Sequence, residues 1–478
     1  MKYIIQFSII VFTIIAQGQG TSDKWYFGNE AGLDFSTGSP IEITDSLMNS
    51  IESCASVSDT FGNLLFYTDG VNVWDSNNNV TPNGTGLFGN VSTSQILIIQ
   101  KPKTEGMYYI FYADAFGGPN GLRYSEMNMN LNNGNGDIVN TTKNTLLHLN
   151  ASEKMSAINH CDGSDIWLAT LNFSNNNFYI YKISETGIEQ PIISNSGNID
   201  DSCCHTMKFS PNGSFLAYTN NFSGNGDDSK LYSFNALTGI ITFHSNLPRN
   251  INNLENNYGL SFSPDNSKLY ISSGYNLTSQ GVTNVLYQYD MESLDIPSTK
   301  TIIFEELFPN QGVNPTPFGS LQNGPDGKIY LARWSANLSV NSLGVINNPN
   351  AQGSSCNFQL EGVSLGGKSS LLGLPNFNES YFNQSNPITC DELSIDENIK
   401  EKLKIFPNPF TVNLNVEFVN QENEINIKLY SILGKLVLED TYFNKKQLQI
   451  NTSSLREGVY FLKISTKNRS STLKIVKS

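Results

Sequence analysis

An all-β chain is what this sequence predicts: a seven-bladed β-propeller followed by a small β-sandwich. Three observations carry that expectation. A strand–turn–strand unit recurs through most of the chain. From Leu403 onward the pattern changes to regular alternation of apolar and polar residues. Charged residues make up only 15% of the 478, against the usual quarter. Asn, Ser, Gly and aromatics fill their place, a composition suited to strands joined by many turns.

The chain begins "MKYIIQFSIIVFTIIAQGQG", with one lysine, an apolar run from Ile4 to Ile15, then small and polar residues. The run is too short to cross a bilayer comfortably. It reads as a signal peptide over residues 1–20, cleaved near Gly18 or Gly20, with a single-pass anchor as the alternative. No cysteine sits at the cleavage region, which argues against a lipoprotein. No other segment is long and apolar enough to cross a membrane, so the mature chain is expected to lack a transmembrane segment.

The repeat fills residues 21–384. "FSPNGSFLAYTNN" (Phe209–Asn221) matches "FSPDNSKLYISSG" (Phe262–Gly274) and "NGPDGKIYLARWS" (Asn323–Ser335). Weaker copies are Val57–Gly70, Lys101–Asp114 and Cys161–Asn172. Each has an apolar strand, a turn rich in Gly, Asp, Asn or Pro, and a second apolar strand. Those turn residues supply the positive or fixed φ that a short hairpin needs. The spacing of the copies, with further strands such as "SKLYSFNALTGIITFHS" behind them, suits four-stranded blades. Lys24–Ile43 reads as three outer strands without an inner one, and Ser370–Phe377 as a strand without a blade. Closing a ring removes unpaired edges, so Ser370–Phe377 is expected to complete the first of seven blades. The "SPDG"-type turns followed by "LY(I/V)" resemble the WD-like or YVTN-like propellers, a likeness that specifies fold rather than activity.

Residues 385–402 are acidic and lack alternation, and they read as a linker. Beyond them, Val412–Phe418, Glu424–Ser431, Gly434–Asp440, Gln447–Thr452, Gly458–Thr466 and Ser471–Ser478 each alternate with period two. Short strands with one buried face make a small sandwich, here of Ig-like type. "IFPNPF", "LYSILGKLV", "LREGVYFLKIST" and the terminal "KIVKS" together resemble the type A C-terminal sorting domain of the type IX secretion system, over residues 403–478. That resemblance implies export through the periplasm, reading of the folded domain by the outer-membrane translocon, and removal by a sorting protease, with the cargo released or attached to the surface. It carries the entry turn onto Pro407, Asn408 and Pro409, the mid-domain turn onto Gly434 and Lys435, the "GxY" step onto Gly458 and Tyr460, and the basic end onto Lys474 and Lys477. As plain sandwich residues, Gly434 and Gly458 would serve turns and Tyr460 the core.

A net charge of −14 with no basic run argues against a nucleic-acid partner, which needs clustered Lys and Arg. No zinc-protease, nucleophile-elbow, P-loop or dinucleotide motif is present. His148 reads as packed, while His160 and His205 lie on or next to inner strands and are candidates to face the channel. Arg123, Arg249 and Arg333 are the propeller's only arginines, without the surrounding motif of a carboxylate clamp. "DSNNN" (Asp75–Asn79) and "NGDDS" (Asn225–Ser229) leave room for structural calcium but lack the EF-hand glycine and closing glutamate, so they read as solvated turns and no cofactor is expected. The six cysteines permit fifteen full pairings. In "DSCCH" (Asp201–His205) a buried or disulfide-bonded pair is preferred to a metal cluster. Loops after each blade's second strand bring Asp69, Asp114, Asn172, Asn220, Tyr275, Arg333 and Trp334 towards the channel mouth. That mix suits a surface glycan or a protein loop. The sequence thus reads as an exported binding module rather than an enzyme, with a polysaccharide- or ester-cleaving hydrolase or lyase as the alternative.

Overall fold

The computed structural model describes residues 20–172, 174–175, 177–195, 197, 204–220, 228–248, 256–278, 281–309, 315–335, 337–385, 390, 403–431, 435–466 and 469–478, without the side chains of 275–278, 309, 403, 419–420 and 469–472. The expected signal peptide lies outside these residues, apart from Gly20, as does nearly all of the expected linker. The chain divides into two compact units, Met1–Cys390 and Asp391–Ser478. Among the described residues no helix is long and apolar enough to cross a membrane.

Local turn chemistry builds the repeat of the first unit. Asp59 Oδ1 accepts from the backbone N–H groups of Phe61 and Asn63. Asn212 does the same for Ser214, and Asp265 for Ser267. The residue that must take positive φ is Gly62, Gly213, Asn266 or Gly327, and Gly and Asn tolerate that region best. A short polar side chain thus closes the turn and its neighbour reverses the chain, so the apolar residues on either side pair as antiparallel strands.

Seven antiparallel sheets follow one another among the described residues of this unit. Their innermost strands are Lys24–Phe27, Ala55–Ser58, Leu97–Gln100, Ala151–Asn159, Met207–Phe209, Asn257–Phe262 and Phe318–Asn323. The apolar cores lie between sheets. Val57, Phe66, Ile98 and Ile110 join the second sheet to the third, and corresponding clusters join each later pair. Trp25, Phe27 and Leu33 of the first sheet pack with Tyr67 of the second and with Tyr330 and Val345 of the seventh. The clusters therefore close a ring.

The closure differs from the sequence expectation. Ser370–Phe377 forms no strand, and the first sheet stays three-stranded. Only Ser369 bridges to it, through Asn29. Leu372 instead accepts from Ser320 N–H, and the Leu372 and Gly373 N–H groups donate to Ile51. With its backbone groups committed to other sheets, and Pro375 lacking an N–H, the segment turns into the channel.

In the second unit the expected short strands merge. Val412–Phe418 and Glu424–Ser431 fall on one strand, Asn413–Ser431, and Gly434–Asp440 and Gln447–Thr452 largely on another, Leu436–Asn451. Along the first, the buried side chains switch from Leu414, Val416 and Phe418 to Ile425, Ile427 and Leu429. The parity change means that opposite pleat faces turn inward in the two halves. Both halves still feed one core with Leu462, Ile464 and Ile475, which is what a strand shared between two layers requires.

Candidate functional site

The inner strands start at one end of the channel and turn at the other. The turning end is filled. Leu374–Phe382 enters it and finishes in a 3-10 turn, Glu379–Phe382. Asn378 bridges Ala157, and its side-chain amide donates to Asn159 Oδ1 at 2.7 Å. Lys208, 2% exposed, donates to Glu379 Oε1 at 2.5 Å, to Gln322 Oε1 at 2.6 Å and to Asn376 Oδ1 at 3.4 Å. Burial raises the Glu379 pKa and the Lys208 ammonium opposes that shift. Each buried charge here has partners, the condition under which an interior ion pair is tolerated. A disulfide between Cys161 and Cys390 secures the same end.

The starting end is different. Glu52, Ser94 and His205 lie just before the inner strands of the second, third and fifth sheets, while Glu153 and Tyr258 lie on those of the fourth and sixth. Ring closure brings them together. The Ser94 hydroxyl lies 2.7 Å from Glu153 Oε2 and 3.3 Å from Glu52 Oε2, and it accepts from His205 N–H at 3.0 Å. Glu153 Oε2 also accepts from Ser94 N–H, and its Oε1 from Phe116 N–H, both at 2.8 Å. Gly373 supports Glu52 from behind. A Cβ there would lie 1.6 Å from the Glu52 carbonyl oxygen, so only glycine lets the two backbones approach this closely.

Electrostatics separates the two acids. Burial, with the nearby Glu153 charge, pushes the Glu52 pKa up to about 7. Burial raises Glu153 too, but its three donors and Lys154 pull it back. His205 is 9% exposed, takes φ 78°, and both of its ring nitrogens are buried without a hydrogen-bond partner. Burial and the Lys154 charge push its pKa down to about 3, so the ring is neutral. The Tyr258 hydroxyl is also buried and faces Glu52 and Ser94, its ring 4.9 Å from that of His205. A buried polar group left unpaired costs ~1–3 kcal/mol. Beside them Phe116 holds φ 53° and leaves its ring 70% exposed.

The residues that the sequence singled out around the mouth mostly serve turns. Asp69 Oδ1 accepts from the Val71 and Asn72 N–H groups, and Asp114 from those of Ala115 and Asn120. Asn172 accepts from Ser174 and donates to the Leu149 carbonyl, and the Asn220 amide donates to Asp228 O. Arg333 is buried, its Nη1 donating to Leu360 O with Glu361 at 3.7 Å. Trp334 is half-buried and donates its backbone N–H to Pro317. Tyr275 lies on strand Lys268–Thr278, its side chain outside the described residues. His205 reaches the channel mouth. His160 lies at the opposite end, its Nδ1 2.9 Å from Asp162 Oδ2. Asp75 of "DSNNN" caps its own turn through Asn77 and Asn79 N–H, while most of "NGDDS" lies outside the described residues. Glu52, Ser94, Glu153 and Tyr258 escaped the motif reading. Their signal is positional: a polar residue at or just before the start of an inner strand, at the same place in successive copies.

Among the described cysteines, Cys161 pairs with Cys390, Cys204 is also disulfide-bonded, and Cys54 and Cys356 are free and buried. Cys203 lies outside the described residues. His160 sits beside the Cys161–Cys390 sulfurs, which are bonded to each other and so are not metal ligands.

In the second unit the two prolines flank a side chain that stands in for backbone pairing. Asn408 Oδ1 accepts from Val476 N–H at 2.8 Å, and Phe410 bridges Lys477. Lys477 donates to Thr411 O and lies 5.6 Å from the Phe410 ring centre. Tyr460 is in the core with its hydroxyl on Arg456 O. Ser431 N–H donates to the Lys435 carbonyl, Gly458 takes φ 149°, and Lys474 is exposed. Gly434 lies outside the described residues.

Residues 404–478 match the family described as secretion system C-terminal sorting domain. No curated protein matches the chain significantly. Among solved structures, a proposed 6-phosphogluconolactonase of Bacteroides fragilis is similar with a TM-score of 0.44 and 12% identity, over 74% of this chain and 97% of its own. An exo-β-1,3-galactanase of Phanerochaete chrysosporium gives 0.35 and 10%, over 85% and 98%. The Cps50 β-propeller domain of Myceliophteria thermophila gives 0.31 and 9%, over 80% and 96%. These likenesses are too slight to bear on activity, and the propeller rests on the chain's own ring of sheets. Residues 404–478 are a C-terminal sorting domain of the type IX secretion system, carried behind a β-propeller, and this tail directs the chain to the cell surface or the extracellular space.

Proposed function

We propose that the propeller is a recognition module that takes a surface glycan or a protein loop at the channel mouth, where Glu52, Ser94, Glu153, His205 and Tyr258 meet. One observation carries this reading. Lys208 is paired with Glu379, Gln322 and Asn376, whereas at the other end both ring nitrogens of the buried His205 have no hydrogen-bond partner. Buried polar groups of this kind are completed by a ligand or an ordered water. The translocon and a sorting protease are the export partners of this reading, with a signal peptide at residues 1–20.

The paired acids favour a second reading, a hydrolase with Glu52 as proton donor. Against it, Glu153 is 0% exposed and already accepts three hydrogen bonds, so it is placed to orient neighbours rather than to attack a substrate. Incubating the full chain with glycans, surface proteins and chromogenic glycosides and esters separates the two. Binding without turnover, weakened by Glu52→Ala, supports recognition; turnover lost in Glu52→Ala overturns it. For export, deleting residues 403–478 should leave the propeller folded and trapped in the periplasm. Normal surface amounts of the truncated chain would end the sorting account.

A further inference from the structure

We propose that Glu52 stands at the channel mouth as a neutral carboxylic acid, held through Ser94 by the buried Glu153, and that it binds an uncharged, hydroxyl-rich sugar lying against the Phe116 ring. This rests on the recognition reading and names its ligand class. Hydrogen counting at Ser94 supplies the argument. A serine hydroxyl has one hydrogen and two lone pairs. The His205 N–H occupies one lone pair at 3.0 Å, and the 2.7 Å contact to Glu153 Oε2 takes the hydrogen. The remaining contact, to Glu52 Oε2 at 3.3 Å, has only a lone pair on the serine side. Two acceptors do not bond, so a hydrogen bond at this contact requires the hydrogen to sit on Glu52. Glu153, with three donors, is the ionised partner.

The charges around Glu52 fit a neutral ligand. Glu153 from the fourth sheet's inner strand and Tyr258 from the sixth act on Glu52 directly, while Lys154 acts on Glu153 and on His205. Glu153 and Lys154 offset each other, while His205 and Tyr258 are uncharged. No net charge remains to draw an ion. A protonated carboxyl both donates and accepts, which matches a sugar hydroxyl, and the long contact to Ser94 lets a ligand take over its hydrogen. The exposed Phe116 ring, one carboxylate away, offers an apolar face of the kind that stacks on a sugar ring.

Two measurements on the full chain test this. Infrared difference spectra between pH 5.5 and pH 8.5 should show a carboxylic-acid band that Glu52→Gln removes. Calorimetric titration with neutral xylo-, cello-, manno- and galacto-oligosaccharides should find a binder whose affinity falls at least tenfold from pH 5.5 to pH 8.5. Glu52→Gln, whose amide keeps a donor and an acceptor, should bind with less than threefold change across that range. Phe116→Ala should weaken binding at least tenfold. A missing band overturns the proton assignment. A band present with no sugar of the panel bound overturns the carbohydrate alone, leaving recognition to its own test. Cleavage of a panel sugar, or pH dependence that persists in Glu52→Gln, overturns the proposal as well.

Discussion

The two ends of the propeller channel are built from the same kinds of residue and treat them in opposite ways. At the turning end a lysine and a glutamate, both nearly inaccessible, meet at 2.5 Å and are completed by Gln322 and Asn376. At the starting end two glutamates share one serine, and a histidine keeps both buried ring nitrogens without partners. The first arrangement holds the ring together; the second leaves bonding capacity for something else. Polarity in a buried channel therefore says little by itself; a lysine–glutamate ion pair at one end and two neighbouring acids at the other are what distinguish them.

The largest break of this contrast is at Glu379. Glu379→Ala leaves the Lys208 ammonium buried without its counter-ion and should cost roughly 3–5 kcal/mol. A urea melt followed by tryptophan fluorescence measures it, and Lys208→Met combined with Glu379→Leu should recover much of the loss. A cost under 1 kcal/mol would mean that the plug is not structural.

Next is the tether at the same end. Replacing Cys161 and Cys390 by serine opens a covalent loop with a sequence separation of 229 residues. A loss of roughly 2–4 kcal/mol is expected, while sugar binding at the mouth should be unchanged. Mouth affinity that fell with the disulfide would show that the two ends are coupled.

The smallest effects come from the mouth and are read from pH. His205 titrates near 3 in the fold against 6.5 unfolded, so its burial costs stability as pH falls below 6.5. Glu52 titrates near 7 against about 4.5, so its burial costs stability as pH rises above 4.5. Between pH 4.5 and 6.5 the two contributions oppose each other. Glu52→Gln should gain roughly 2 kcal/mol on going from pH 4.5 to 6.5, and His205→Asn should lose about as much. Asparagine also tolerates the positive φ at that position. Parallel curves for both variants would remove the assignment of opposite shifts.

Local patterns made much of the fold legible. Asp59, Asn212 and Asp265 close turns through their own side chains, so the hairpins announce themselves within a few residues. The Pro407–Asn408–Pro409 entry and the strands after it were legible for the same reason, although the merging of short strands into Asn413–Ser431 was not. There the alternation breaks between Phe418 and Ile425, and a strand that changes its buried face looks like two strands until its partners are known. The mouth was hardest to read. His205 was a candidate because it adjoins an inner strand, but Glu52, Ser94, Glu153 and Tyr258 belong to no motif.

By itself the sequence determined the repeated strand–turn–strand unit, the alternating tail and the sorting domain that the tail builds. These depend on neighbours along the chain, where φ preference, side-chain capping and period-two burial act over a few residues. Only the tertiary structure decided that Leu374–Phe382 fills the channel instead of extending the first sheet, because Lys208 is buried there and takes Glu379 as its partner. Only the closed ring decided which polar residues share the other end. Both outcomes depend on desolvation and on contacts between residues far apart in the chain, which local spacing does not encode.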